Sequence, residues 1–221
     1  GEAEVTLRGQ ERDTEDYKDA LERIVELSMQ LGKYVNDLLF LARAETANLQ
    51  FEWDRLDLVE LVASTAEDYQ VMAEENSISV SLDAPDEPIW VRGDKQRLRQ
   101  VLFILGENAC RYSKPGGHIG VALWVENAEA SVSLSDQGIG IPAQDMERIF
   151  DRNFRSQNAQ HSCDDGSGLG LTMAKSIMNA HGGRIMVTST ENLGSTFTVT
   201  LPLILTEEEG DQHHDNLSSI T

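Results

Sequence analysis

Asp136-Gln137-Gly138-Ile139-Gly140-Ile141-Pro142 and, later in the chain, Gly166-Ser167-Gly168-Leu169-Gly170-Leu171 are the stretches on which the reading of this sequence turns. The first follows a strand-like run through Val132 and Leu134 and precedes residues that Pro142 can start as a helix at its first turn. Its glycines let backbone approach a flat ligand. An aspartate at a strand end beside them accepts a hydrogen bond from an exocyclic amine such as that of adenine, and an ordinary tight turn is the alternative. The second stretch opens a helix running to about His181 that Gly182-Gly183 ends, and glycines at a helix N-terminus make an anion cradle from free N–H groups. Its spacing is neither G-x-x-x-x-G-K-[ST] nor G-x-G-x-x-G, so P-loop and Rossmann readings both fail. Between the two stretches Gln157 to Asp165 is polar and short in side chain, as a lid or a plain surface loop is.

Upstream, the run from Asp94 to Tyr112 carries two helical stripes at about 100° per residue. Leu98, Val101, Leu102, Leu105 and Ala109 form the core stripe, and Ile104, Asn108 and Arg111 lie about a quarter-turn away. Asn108 offers a neutral oxygen suited to a hard cation such as Mg²⁺, and Arg111 reaches phosphate oxygens from one turn later; a solvated helix edge is the alternative. A helix around Leu58 to Glu75 precedes the alternating Ile78, Val80 and Leu82, then Ile89 and Val91, with Pro85 and Pro88 in the turn between. Ile119, Val121, Leu123 and Val125 join Val132 and Leu134 through Asn127-Ala128. Ile185 and Val187 pair with Phe197, Val199 and Leu201 across Glu191-Asn192-Leu193-Gly194. Strands interleaved irregularly with helices argue an α+β fold, a sheet with helices on one face.

The N-terminal part is different. Asp13-Thr14-Glu15-Asp16 signals a helix start, and helical character holds to about Thr46. Tyr17, Leu21, Ile24, Ser28, Leu31, Val35, Leu38 and Ala42 advance by fours and threes, the seam of a coiled coil or bundle, with Gly1 to Arg8 as the end of an antiparallel neighbour. The tail from Thr206, with consecutive glutamates and His213-His214, reads as disordered. Residues 1–48, 49–205 and 206–221 are therefore the expected units. With 38 acidic against 18 basic residues the net charge is -20, which opposes nucleic acid and anionic membrane surfaces. Two cysteines, Cys110 and Cys163, form no paired framework or metal spacing and suit a reducing compartment. No window reaches the roughly 18 apolar residues of a membrane span.

Asn108-Ala109-Cys110-Arg111-Tyr112, Asp136-Gln137-Gly138-Ile139-Gly140, Phe150-Asp151-Arg152-Asn153-Phe154-Arg155 and Gly166-Ser167-Gly168-Leu169-Gly170-Leu171 resemble, in order and spacing, the N, G1, F and G2 boxes of bacterial sensor histidine kinases. The similarity spans about Leu56 to Pro202, and Asp37-Leu38-Leu39-Phe40-Leu41-Ala42-Arg43 resembles the second helix of that family's dimerisation and phosphotransfer domain. The resemblance implies a Bergerat-type α/β sandwich, the gyrase/Hsp90/histidine-kinase type, with a mixed, mainly antiparallel sheet, preceded by a coiled-coil-like segment. By resemblance, Asn108 binds Mg²⁺, Arg111 contacts phosphates and Tyr112 lies against adenine. Asp136 takes the adenine amine, and Gly138, Gly140 and Ile141 line the base pocket. Gly166, Gly168, Leu169, Gly170 and Leu171 hold phosphates, Phe154 anchors the lid, and Thr196 supports the Asp136 end through water. The cofactors implied are ATP and Mg²⁺. The partners implied are a cognate response regulator and a second copy through the helical segment, in the cytoplasmic portion of an inner-membrane sensor whose membrane segments lie upstream.

Two departures bear on activity. One turn before the metal-binding Asn the family carries a polar residue, an Asn in the kinases and a glutamate base in the related ATPases, where this chain has Ile104, so no carboxylate activates water there and efficient hydrolysis is not expected. Glu107 points about 100° away from Asn108. The family also transfers phosphate to a histidine on the first bundle helix, largely by positioning and charge neutralisation. No histidine here fits: His118 starts a strand, His161 lies in the lid, His181 ends a helix where it can favour the dipole, and His213 and His214 are in the tail, each read as structural or incidental. The acceptor helix is expected to lie upstream of Gly1. A degenerate nucleotide-binding or dimerisation module is the alternative function. An ATP-driven clamp is disfavoured by Ile104, and a compact serine kinase by the seam helix and the phenylalanine box.

Overall fold

The computed structural model describes residues 14–45, 50–74, 76–162 and 167–204. The expectations for Gly1 to Arg8, the boundary at residue 48, Gly166, Cys163 and the tail with His213 and His214 lie outside the described residues. Chain contacts divide the protein into two units, Gly1–Leu49 and Gln50–Thr221. In the first, helix α1 (Thr14–Glu45) runs for 32 residues, about 48 Å at 1.5 Å per residue. Its seam residues Tyr17, Leu21, Ile24, Leu31, Val35 and Leu38 are exposed, because a single amphipathic helix has nothing of its own to cover them.

The second unit is a sheet with helices against it. Strands β2 (Ser79–Asp83), β4 (His118–Glu126), β5 (Glu129–Asp136), β6 (Arg184–Thr190) and β7 (Gly194–Pro202) lie in the order β2-β4-β5-β7-β6. Only β2 and β4 pair in parallel; the other pairs are antiparallel. Strands β1 (Asp54–Asp57) and β3 (Trp90–Gly93) form a separate antiparallel ribbon. Alternation along β4, β5 and β7 turns Ile119, Val121, Val132, Leu134, Phe197 and Val199 inward, all buried, and leaves serines and threonines on the other face. Against the apolar face pack α2 (Leu58–Glu74), α3 (Lys95–Tyr112) and α5 (Gly170–Ala180), while α4 (Gln157–Ser162) is a short turn of helix between the glycine stretches. Leu98, Val101, Leu102, Leu105 and Ala109 of α3 are buried as its spacing predicts, and Ile104 joins them.

Local chemistry fixes the ends of these elements. Asp94 caps α3, its Oδ1 accepting from Arg97 N at 3.0 Å while Oδ2 accepts from Glu52 N at 3.0 Å, which supplies orphan N–H groups with a carboxylate partner. Asp94 N donates to His181 Nε2 at 3.0 Å, and His181 Nδ1 faces Ile177 O at 2.8 Å. Nδ1 therefore carries the proton and Nε2 accepts, so the ring is neutral, and burial lowers its pKa. The ring has the structural role expected of it, tying the end of α5 to the start of α3, and being neutral it does not add the positive charge that would favour the α5 dipole. The β4–β5 turn has Asn127 and Ala128 at φ 51° and 60°, both left-handed as a two-residue hairpin of this twist requires. The expected helix after Pro142 is absent; a three-residue 3-10 turn, Ala143–Asp145, stands there, since Ala143 to Met146 offer no continuous apolar face to bury.

Helices α2 and α3 meet at Tyr69 and Gly106. The Tyr69 hydroxyl donates to Leu102 O at 2.6 Å, and burial raises its pKa. A Cβ on Gly106 would stand 2.0 Å from the ring. Gly106→Ala is therefore expected to cost about 1–3 kcal/mol by overpacking, read as a lowered urea midpoint with an unchanged slope.

Candidate functional site

The C-terminal half of α3 is held between the two glycine stretches. At its end Ile139 N donates to Tyr112 O at 3.1 Å, and Ser113 bridges Gly138. A Cβ on Gly138 would fall 2.2 Å from Tyr112 O, so only glycine admits this approach. Two turns earlier, a Cβ on Gly170 would lie 3.2 Å from Ile104 Cγ2, which seats the first turn of α5 on Ile104. Asn108, Arg111 and Tyr112, all half-buried, lie along the intervening stretch of α3, about 12 Å from Ile104 to Tyr112 at 1.5 Å per residue.

At the end of β5, Asp136 Oδ1 accepts from Gly138 N at 2.8 Å and from Ser195 N at 3.3 Å. Burial raises its pKa, and the two backbone N–H bonds pull the other way. With Oδ1 committed, Oδ2 is the oxygen left for another donor. The loop beyond is pinned on both sides. Gly140, at φ 62°, comes so close to β6 that a Cβ would meet Thr190 O at 2.1 Å. Ile141 N donates to Ser189 Oγ at 2.8 Å, and Asn158 Nδ2 of α4 donates to Gly140 O at 2.8 Å. Helix α4 is thereby tied to the loop beside Asp136.

The other end of the site is the start of α5. Gly168, at φ 67°, accepts through its carbonyl from Asn153 N at 3.1 Å. The N–H groups of Gly170, Leu171 and Thr172 belong to the first turn, where a helix has no acceptors of its own. Thr172 Oγ1 donates to Phe150 O at 2.9 Å. Arg148 lies over the Phe154 ring at 4.4 Å and Lys175 over Phe150 at 5.2 Å, cation–π contacts that hold positive charge against the phenylalanine box.

The structure brings Asn108, Arg111, Tyr112, Asp136, Gly138, Gly140 and Ile141 to one edge of the sandwich, with Gly168, Gly170 and Leu171 reached across Ile104. Phe154 stands beside Gly168, whose added Cβ would meet Phe154 O at 2.9 Å. Two placements differ from expectation. Leu169 is buried at 3% exposure and its N–H is taken by Ser167 Oγ at 3.2 Å, so it packs the core and offers no donor to a phosphate. Thr196 pairs with Ser135 across β5 and β7, on the face opposite Asp136, because side chains alternate along a strand; the neighbour of Asp136 is Ser195. Ser189, Ser195 and Asn158 are the residues the sequence reading omitted, and counting alternation back from Phe197, an inward residue, assigns Ser195 to the inner face. Arg111 is bonded to Glu107 at 2.7 Å, which turns Glu107 away from Asn108 as helical geometry requires.

The donor set fits a metal-bearing nucleotide better than a metal held by protein alone. Among the described residues no group of three or more His, Cys, Asp or Glu is placed to hold a metal, so a hard cation here needs phosphate oxygens as its main ligands, with the Asn108 amide as an added neutral one. A partly buried carboxylate for an amine, an amide and a guanidinium in the middle and helix N–H groups at the far end are complementary to a nucleoside polyphosphate.

The fold and this arrangement define an ATP-binding α/β sandwich. The chain belongs to the family described as "Histidine kinase-, DNA gyrase B-, and HSP90-like ATPase", whose sequence model matches residues 93–205, and its relatives place it among the bacterial sensor histidine kinases. It is 36% identical over 172 residues to "Sensor histidine kinase WalK" of Bacillus subtilis (strain 168), covering 77% of this chain and 28% of the relative. It is 32% identical over 204 residues to "Sensor-like histidine kinase SenX3" of Mycobacterium tuberculosis (strain ATCC 25618 / H37Rv), covering 92% of this chain and 48% of the relative. The solved "Acinetobacter baumannii histidine kinase AdeS" shares the fold at TM-score 0.71 and 24% identity over 92% of each chain. The chain thus spans half or less of these curated relatives' length.

Because burial raises the folded pKa of Asp136 above its ordinary value of 3.8, its stabilising contribution is present below that value and is lost as pH rises through the folded one; the ionised group is a net cost at neutral pH. Asp136→Asn keeps the Oδ1 acceptor for both N–H groups. Its urea midpoint at pH 7 is expected to be no lower than the parent's, and the parent's gain in stability relative to the variant is expected only on acidification toward 3.8.

Proposed function

We propose that this chain is the ATP-binding kinase module of a two-component sensor, transferring the γ-phosphate of Mg²⁺-ATP to a histidine supplied elsewhere in a longer protein, from which it passes to an aspartate of a response regulator. The observation that carries the reading is the Asp136 carboxylate, with Oδ1 satisfied by backbone and Oδ2 available to an exocyclic amine, at the edge of a domain of the histidine kinase-like ATPase family. Asn108 would hold Mg²⁺ together with the phosphates, and the ion would supply neutralisation of developing charge. Arg111 contacts the phosphate chain, since a planar guanidinium matches phosphate oxygens in a fork geometry. The first turn of α5 receives the distal phosphates through its N–H groups and dipole.

Hydrolysis is not the activity this site favours. Ile104 occupies the place of a water-activating carboxylate and is 8% exposed, and Glu107 is engaged with Arg111. Transfer to an imidazole needs positioning and charge neutralisation rather than an activated water. The apolar seam of α1 supports pairing with a second copy, since its exposed leucines gain burial only from a partner helix. No helix among the described residues is long and apolar enough to cross a membrane; an inner-membrane attachment belongs, in this proposal, to other parts of the whole sensor.

Calorimetry with ATP and ADP, with and without Mg²⁺, tests the pocket: binding at micromolar concentration that depends on Mg²⁺ is expected, lost by at least about tenfold in Asp136→Asn when the amine faces an amide N–H instead of a carboxylate. Labelled phosphate is then expected on the histidine of a dimerisation and phosphotransfer domain supplied in trans. Nucleotide binding without any transfer would select the degenerate module instead, and absence of binding would sink the kinase reading altogether.

A further inference from the structure

We propose that Ser189 sets the hydrogen-bond polarity of the base pocket and is thereby a specificity-determining residue, a reading that rests on the assignment of the Asp136 edge as a purine site. The argument is a count of hydrogens. Ser189 Oγ lies 2.8 Å from Gly194 O, which can only accept, so the single hydroxyl hydrogen of Ser189 goes there. Ile141 N donates to the same Oγ at 2.8 Å. Ser189 Oγ is also 3.0 Å from Ser195 Oγ, and with its own hydrogen spent, that contact is made by the Ser195 hydroxyl donating to Ser189. The Ser195 N–H is meanwhile given to Asp136 Oδ1 at 3.3 Å.

Both hydrogens of Ser195 are therefore committed inside the protein, and what its Oγ keeps is lone pairs. Asp136, when ionised, is likewise acceptor-only. The edge at the ends of β5 and β7 thus presents the lone pairs of Asp136 Oδ2 and Ser195 Oγ as acceptors. A base with an exocyclic amine at that edge is matched, directly or through a water. A base with a carbonyl in the same position, as in hypoxanthine or guanine, sets oxygen against oxygen and leaves polar groups unpaired, the situation in which discrimination is greatest. Ser189 need not touch the nucleotide to do this. It acts by holding the Ser195 hydroxyl turned inward, and a position that released that hydroxyl would allow it to rotate and donate to a carbonyl.

The test is calorimetric titration of the chain with ATP and with inosine triphosphate, which exchanges the amine for a carbonyl. In Ser189→Ala the ATP-over-ITP affinity ratio is expected to fall by about tenfold, the worth of one hydrogen bond of reversed polarity, while Ser189→Thr, which retains the hydroxyl, keeps the parental ratio. An unchanged ratio in Ser189→Ala, or an equal fall in both variants, overturns the proposal while leaving the pocket assignment intact. Failure of the parent to bind ATP would instead remove the pocket assignment itself. Should Ser189→Ala not fold, Ser195→Ala carries the test: Ser189 keeps its bonds to Gly194 and Ile141, the acceptor disappears, and the ratio again must fall or the proposal is wrong.

Discussion

The Asp136 Oδ1 atom joins the end of β5 to the glycine loop that follows it, through Gly138 N, and to the start of β7, 59 residues away, through Ser195 N. A partly buried carboxylate without such bonds would stay protonated or draw in water. With them it is an oriented acceptor, and the backbone around it has little latitude. Gly194, at φ 113°, passes so near that a Cβ would meet Asp136 O at 2.0 Å, and Gly138 and Gly140 approach Tyr112 and Thr190 as closely. The glycines are thus required by protein-to-protein packing before any ligand is considered.

Under the proposed function, a chain of net charge -20 has to create attraction for a polyphosphate locally. The first turn of α5 supplies the partial charge of roughly half a proton that a helix N-terminus carries. Arg111 supplies a whole charge, tempered by Glu107 at 2.7 Å with both side chains about one-quarter exposed, 26% and 27%. That pairing lowers the field at the site when no phosphate competes for the guanidinium, and it keeps Arg111 extended along α3 instead of turned to solvent. Arg148 and Lys175, stacked on Phe154 and Phe150, hold two more cations against the phenylalanine box, Arg148 also 3.9 Å from the Asp151 carboxylate.

The parts of the fold legible in the sequence were those whose burial pattern is periodic and long. Helix α3 was readable because its core stripe repeats at helical spacing, although it starts at Lys95 with Asp94 as its cap and buries Ile104 as well. Strand β1 was not, since Asp54-Arg55-Leu56-Asp57 has a single apolar residue, Leu56, and takes its place by pairing with β3 rather than by propensity. The parallel pairing of β2 with β4 was equally hidden: alternation reports which face is buried, not which neighbour a strand takes. In the candidate site, the boxes singled out Asn108, Asp136 and the glycines, but assigning Thr196 to Asp136 overlooked parity. One residue along a strand is the whole thickness of the sheet, so Ser195 and Thr196 serve opposite faces. Ser189 and Asn158 carry no motif signal at all, because their roles arise where β6 and α4 meet the loop at Gly140 and Ile141.

Ile104 then looks less like a defect than a consequence of close packing. Its Cγ2 would lie 3.2 Å from a Cβ on Gly170, so the start of α5 rests directly on it, and its burial matches that of the core stripe beside it. A glutamate in this place would need its own buried partner or would pull water between α3 and α5, and either would move the N–H groups of the first turn. An apolar seat fixes that cradle relative to Asn108 and Arg111 on the same helix. Under the proposed reaction this is the more useful arrangement: phosphoryl transfer to an incoming imidazole depends on how well the phosphates are held in line, and a site that cannot activate water loses less of its ATP to hydrolysis while the acceptor is away.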